Sequence, residues 1–176
     1  IEEEIKLDYS DVLFRPKRST LKSRKDVDLN RKYIFKHSKL SWKGTPIIAS
    51  NMDGVGEIEV AKKLSSHNLM TALTKQHDIE QINLISKNSK LHDSIALSCG
   101  TSADSYKRLN NILKKYPKFK FICIDVANGY SENFSYFVSE VRKKYPTKTI
   151  IAGNVVTADM TQELVLSGAD IVKVGI

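Results

Sequence analysis

The 176-residue sequence holds no apolar run approaching the roughly 18 residues that a membrane-spanning helix needs. Residues 1–44 are too charged and polar to contain the apolar core of a secretory leader. These absences predict a soluble, cytoplasmic protein with no membrane partner. Cysteine is scarce: Cys99 and Cys123 each lie in or beside an apolar run, which predicts buried reduced thiols rather than a disulfide or a metal site. The four histidines, His37, His67, His77 and His92, have no metal-ligand spacing and read as structural or surface groups, so no metal is expected within 1–176. Acidic residues are outnumbered, 20 against 28 basic, for a formal charge of +8. A hydrophobic content of 41% is that of a globular protein and excludes a disordered tail or a collagen-like fibre.

From position 45 onward, short apolar runs alternate with longer amphipathic ones, the pattern of βα units. The runs are Ile47 to Ala49, Leu69 to Leu73, Ile95 to Leu97, Phe121 to Ile124, Ile150 to Ala152 and Ile171 to Val174. Short, aliphatic and without clean polar alternation, they predict strands buried on both faces of a parallel sheet. Between them, Tyr106, Leu109, Ile112, Leu113 and Tyr116 share one helical face, with Thr101 and Asp104 in capping-box positions and Pro117 as the stop. Phe134, Phe137, Val138, Val141 and Tyr145 repeat this between Ser131 and Pro146, as do Met160 and Leu164 between Thr157 and Gly168. A single helix is expected between Lys75 and Ser94.

Strand ends at 49, 73, 97, 125, 152 and 174 are 22–28 residues apart, room for one strand, one helix and two short loops. Six strands in series point to a (β/α)8 TIM barrel, an α/β fold that typically takes about 250 residues. A doubly wound open sheet is the runner-up, because period alone does not separate the two. An incomplete barrel leaves open strand edges, which is costly. The expectation is therefore an incomplete barrel of about six strands, its remainder cut away or disordered beyond Ile176, and a start at Ile1 without methionine fits a piece of a longer chain.

Residues 1–44 lack helical period and read as an N-terminal extension, with 45–176 forming the first six βα units of a single barrel domain. The extension holds 12 basic and 7 acidic residues, and Arg15 to Lys25 has six basic residues and no acid. Tyr33, Phe35 and Trp42, flanking Lys36 to Leu40, predict a small hairpin closing the barrel's bottom.

Reactive groups of parallel α/β folds lie at the carboxyl ends of strands, where the loops converge on one mouth. Those ends read Ser50 to Gly54, Thr74-Lys75, Ser98 to Thr101, Asp125 to Gly129, Gly153-Asn154 and Gly175. Asp125 either accepts hydrogen bonds from a carboxamide or sugar, or caps its own loop. Lys75 either supplies charge or a proton to the mouth, or is a solvated surface lysine. Asn154 is a donor and acceptor at the mouth or a turn residue. Cys99 is placed as a nucleophile would be, yet nothing nearby in sequence would activate it, which favours a structural thiol.

Five longer motifs carry a family resemblance. Leu7 to Leu13 followed by Arg15 to Arg24 resembles the N-terminal signature of the GMP reductases. Pro46 to Asp53, Asp125-Val126-Ala127-Asn128-Gly129-Tyr130-Ser131-Glu132 with the preceding Cys123-Ile124, Ala152 to Thr157, and Leu166 to Gly175 continue the match in order across essentially the whole chain. The sister family, IMP dehydrogenase, shares the barrel and several of these motifs and is the nearer alternative. Most of its members insert a regulatory module after the second strand, and this chain does not.

The resemblance implies NADPH-dependent reductive deamination of GMP to IMP and ammonia, a step of purine salvage. In the family a cysteine thiolate adds to C2 of the purine, ammonia leaves, and hydride from the nicotinamide reduces the covalent thioimidate. That cysteine belongs to a loop directly after Ile176, with the ligands of a monovalent cation such as K+. Neither Cys99 nor Cys123 matches it, so residues 1–176 alone are expected to be inactive.

By match, Asp125, Val126 and Ala127 lie along the nicotinamide and ribose, with Lys75 and Ile176 near the reacting centre. Asn154 falls near the nicotinamide, and Ser50 and Met52 near the purine nucleotide. Ser23 and Arg24 match positions that reach the adenosine end of a cofactor held by the neighbouring subunit, and arginine there suits the extra phosphate of NADP. The family is tetrameric, with cofactor sites shared between subunits.

The chain departs from the family pattern at Gly54, commonly Thr, and at Thr74-Lys75-Gln76-His77, commonly His-Lys-His-Tyr. These changes bear on proton handling around Lys75. A reading from another class, a nucleic-acid-binding protein using residues 15–25 on phosphates, lacks both interleaved aromatics and a recognition motif, so no nucleic-acid partner is expected.

Overall fold

The structure, a computed structural model, describes residue 5 and residues 7–175. Two antiparallel strands, β1 (Arg31–Ile34) and β2 (Ser41–Gly44), form the expected hairpin, with Tyr33 opposite Trp42. Its turn is closed by Phe35 N–H donating to the Leu40 carbonyl at 3.0 Å and Lys39 N–H to the Phe35 carbonyl at 3.1 Å.

Six parallel strands follow: β3 (Ile48–Ala49), β4 (Met70–Ala72), β5 (Ile95–Cys99), β6 (Phe121–Asp125), β7 (Thr149–Val155) and β8 (Ile171–Val174). They pair in strict chain order, each with the next. A doubly wound sheet would reverse its order at a switch point. The sheet is therefore part of a (β/α)8 barrel, and β3 and β8 are its edges among the described residues.

Alternation within each strand divides two cores, since successive side chains point to opposite faces. Ile122 and Ile124 of β6, Leu97 and Cys99 of β5, and Ile150 and Ala152 of β7 face the helices. Phe121 and Cys123, Ala96, and Ile151 face the concave side with Met70 and Ala72. The hairpin fills the amino-terminal end of that concave core. Phe35 and Trp42 are buried there, and Phe35 meets Phe121 edge-on at 5.9 Å. A buried carboxylate pins the hairpin in place. Asp170 accepts from His37 N–H at 2.8 Å, Ser38 N–H at 3.2 Å and Ile150 N–H at 3.1 Å, and pairs with Arg142 Nη2 at 2.6 Å.

The outer layer holds α1 (Ile58–Ser65), α2 (Ile79–Ile85), α3 (Ser89–His92), α4 (Ala103–Lys115), α5 (Glu132–Lys144) and α6 (Ala158–Leu166). The expected stripes are the buried ones: Leu109, Ile112 and Leu113 on α4, and Phe134, Val138 and Val141 on α5. Two expectations are corrected. The segment between Lys75 and Ser94 holds two helices, because Asn88 caps a new one by accepting from Lys90 N–H at 3.1 Å. The cap of α4 is Ser102, which accepts from Ser105 N–H at 3.3 Å, and not Thr101.

Candidate active site

The carboxyl ends of β4 to β7 surround one cleft of about 500 Å³, lined by Lys75, Gly100, Thr101, Ser102, Ser105, Asp125, Val126, Ala127 and Asn154. Five residues singled out in the sequence thus converge: Lys75, Asp125, Val126, Ala127 and Asn154. One wall is the first turn of α4, where Ser105 Oγ accepts from Gly100 N–H at 2.9 Å. The amino end of a helix favours negative charge. The opposite wall is a backbone weave: Val126 N–H donates to the Gly153 carbonyl, Asn154 N–H to the Val126 carbonyl and Gly129 N–H to the Asn154 carbonyl, each at 2.9 Å. Asn154 Oδ1 is buried there and accepts no hydrogen bond.

The Asp125 carboxylate does not cap its loop; its partner is the Lys173 ammonium, from two strands away. Gly153 on the intervening strand makes the crossing possible. A Cβ there would stand 2.6 Å from Lys173 Cβ and 2.6 Å from the Lys173 carbonyl oxygen. Lys173 Nζ also donates to Asn51 Oδ1 at 3.0 Å. Asn51 follows the edge strand β3 and Lys173 lies on the edge strand β8, so one ammonium links both edges of the sheet across its mouth. Sequence reading did not single out Lys173. The signal was its period-2 relation to Ile171, which points inward, with an acid in the inward position of β6 and no side chain between them.

The other candidates lie elsewhere. Ser50 and Met52 are exposed on either side of Asn51 and do not line the cleft. Ser23 and Arg24 are exposed and also lie outside its lining. Ser23 caps a short helical turn, Arg24–Asp26, accepting from Lys25 N–H at 3.2 Å and donating its own N–H to Asp26 Oδ2 at 3.0 Å. Ile176 lies outside the described residues. Cys99 is a structural thiol: it faces the helices, and burial raises it to about 12. Burial likewise raises Cys123 to about 11, so both are protonated at neutral pH. Among the described residues no group of three or more His, Cys, Asp or Glu is arranged to hold a metal.

The model of the family described as IMP dehydrogenase / GMP reductase domain matches residues 6–176. A GMP reductase of Citrobacter koseri is 53% identical over 100% of this chain and 51% of its own length. One of Caenorhabditis elegans is 49% identical over 100% of this chain and 50% of its own. The chain thus spans about half the length of these curated relatives. The crystal structure of an inosine 5'-monophosphate dehydrogenase from Legionella pneumophila superposes with a TM-score of 0.74 at 26% identity, covering 95% of this chain and 50% of that one.

Proposed function

Because this chain belongs to the IMP dehydrogenase / GMP reductase family, we propose that its protein is an NADPH-dependent GMP reductase of the cytoplasm, converting GMP to IMP and ammonia in purine salvage. The observation that carries the reading is the convergence of Lys75, Asp125, Val126, Ala127 and Asn154 on one cleft at the strand ends. Identities of 53% and 49% to GMP reductases, against 26% to the dehydrogenase structure, favour the reductase. The reading takes 1–44 as an extension and 45–176 as the first six βα units of one barrel domain.

The cleft suits a dinucleotide with a carboxamide. Asn154 Oδ1 is a buried acceptor in want of a donor, and it shares the cleft with an exposed cation and a carboxylate. NADPH, when bound, supplies the hydride. Asp125, held by Lys173, accepts hydrogen bonds from the nicotinamide end, and Val126 and Ala127 offer it an apolar edge. Lys75 brings positive charge to the reacting centre. Ser50 and Met52 border the purine.

The nucleophile is neither Cys99 nor Cys123, whose protonated, buried thiols cannot attack; it and the ligands of a K+ ion are assigned to the loop after Ile176. Ser23 and Arg24 are exposed and make no part of the cleft, which supports their service to a cofactor on the neighbouring subunit of a homotetramer. Leu13 and Phe14 in the same arm are essentially fully exposed, at 98% and 103%, as expected of apolar side chains that a subunit contact would cover.

The full-length protein, given GMP and NADPH, should consume the reduced nicotinamide and release ammonia in equal amounts. Turnover of IMP with NAD alone would make it a dehydrogenase and sink this reading.

A further inference from the structure

The loop that carries Lys75 is built as a clamp. It leaves β4 as Thr74-Lys75-Gln76-His77, in which Thr74 and His77 are buried and the two residues between them are exposed. The His77 ring is only 6% exposed and turns back toward the strand it came from. Its Nδ1 lies 2.9 Å from Thr74 Oγ1 and 3.2 Å from the Thr74 carbonyl oxygen. Its Nε2 faces Glu57 Oε2 at 3.2 Å. Glu57 occupies the cap position of α1 without capping it, so its carboxylate is available to the imidazole. With Nε2–H donating to the carboxylate, Nδ1 accepts from the threonine hydroxyl, so the ring is tied to both Glu57 and Thr74.

Both ends of the loop are tied to the scaffold. Thr74 N–H donates to the Gly56 carbonyl at 2.9 Å. Arg108 on α4 spans the gap to the next strand, with Nη1 donating to the His77 carbonyl and Nη2 to the Ser98 carbonyl at 2.7 Å. Beyond His77, Asp78 caps α2, accepting from Glu80 and Gln81 N–H at 2.9 and 2.8 Å. Between these anchors only Lys75 reaches the cleft; neither His77 nor Glu57 lines it.

We propose that His77, braced by Glu57, is a positioning residue that fixes the backbone at Lys75 and thereby aims its ammonium into the cleft. Two buried anchors flanking a short exposed pair restrict the torsions of that pair, and a long lysine side chain otherwise spreads its charge over many rotamers. The inference rests on the functional reading above for Lys75's contribution to NADPH binding. The clamp itself is a statement about the loop alone.

A double-mutant cycle read by NADPH fluorescence titration of the full-length protein tests it, with amide hydrogen exchange of residues 74–78 as a second arm. H77A should weaken NADPH about tenfold in the wild-type background and by less than about twofold in K75A, because its effect passes through Lys75. Exchange across the loop should quicken about tenfold in H77A with or without cofactor. E57Q leaves the ring in place and should show a smaller change of the same sign, which keeps the test alive where H77A does not fold. Equal weakening by H77A in both backgrounds, or unchanged exchange, overturns the proposal. If the wild-type protein does not bind NADPH, the functional reading fails instead, and the exchange arm alone then decides for or against the clamp.

Discussion

Replacing Lys173 with methionine isolates the cross-mouth ion pair, because methionine keeps the unbranched stem that passes Gly153 and removes only the charge and its donors. The Lys173 and Asp125 side chains are 27% and 26% exposed, intermediate between a surface pair and a buried one. Surface pairs contribute ~0–1 kcal/mol, whereas breaking a buried pair costs ~3–5 kcal/mol. A loss of ~2 kcal/mol is expected for K173M. Some of it comes from Asn51, which loses its donor. With a urea slope of about 2 kcal/mol per molar, the unfolding midpoint should fall by ~1 M at unchanged slope. D125N should cost a similar amount, since it leaves the ammonium without its anion. The double variant should then be less destabilised than the two single losses added together, by ~1–2 kcal/mol. Additivity within ~0.5 kcal/mol would refute the coupling and with it the idea that Lys173 holds the carboxylate in place.

Two other perturbations probe the opposite end and the interior. Asp170 has no exposed side-chain surface, and its two oxygens accept from three backbone N–H groups and Arg142; D170N turns an acceptor into a donor facing donors, and urea unfolding should show a loss of ~3–5 kcal/mol. For the thiols, burial raises Cys99 to about 12 and Cys123 to about 11 from an ordinary value of 9.0. The folded state therefore holds both protons after the unfolded state has released them, so stability is fully present below pH 9 and declines as pH rises from 9 toward 11. Urea midpoints measured across that range should fall, and an aromatic disulfide reagent at pH 8 should modify neither thiol until denaturant is added; rapid labelling of the native protein would contradict the buried placement.

Strands and their spacing were legible because burial on both faces of a parallel sheet forces aliphatic runs, and helices between them must show a stripe. The hairpin was legible from Tyr33, Phe35 and Trp42 flanking a short polar turn; Phe35 and Trp42 are buried, and Tyr33, still exposed, stacks on Trp42. The cleft residues were legible from position alone: Lys75 lies three residues past β4, Asp125 ends β6 and Asn154 is the last but one residue of β7, and a barrel gathers strand ends. The break at Ser86 to Asn88 was not, because the apolar spacing of Ile82, Ile85 and Leu91 suits one helix or two, and only the Asn88 cap decides. His77 read as one more histidine without metal spacing. Its environment comes from Glu57 and Arg108, 20 residues before it and 31 after, distances at which no periodicity speaks.

What the sequence determined by itself, then, was the series of βα units, their burial pattern, the family and the strand ends at which chemistry would gather, because these follow from local hydrophobic spacing and contiguous motifs. Tertiary structure alone decided the strand order that separates a barrel from an open sheet, and the partners of each charge. Asp125 meets Lys173 across a side-chain-free Gly153, and Lys173 meets Asn51 from the opposite edge of the sheet. Such contacts depend on how far the sheet curls, which sums the geometry of six strands and is written in no single stretch of the chain.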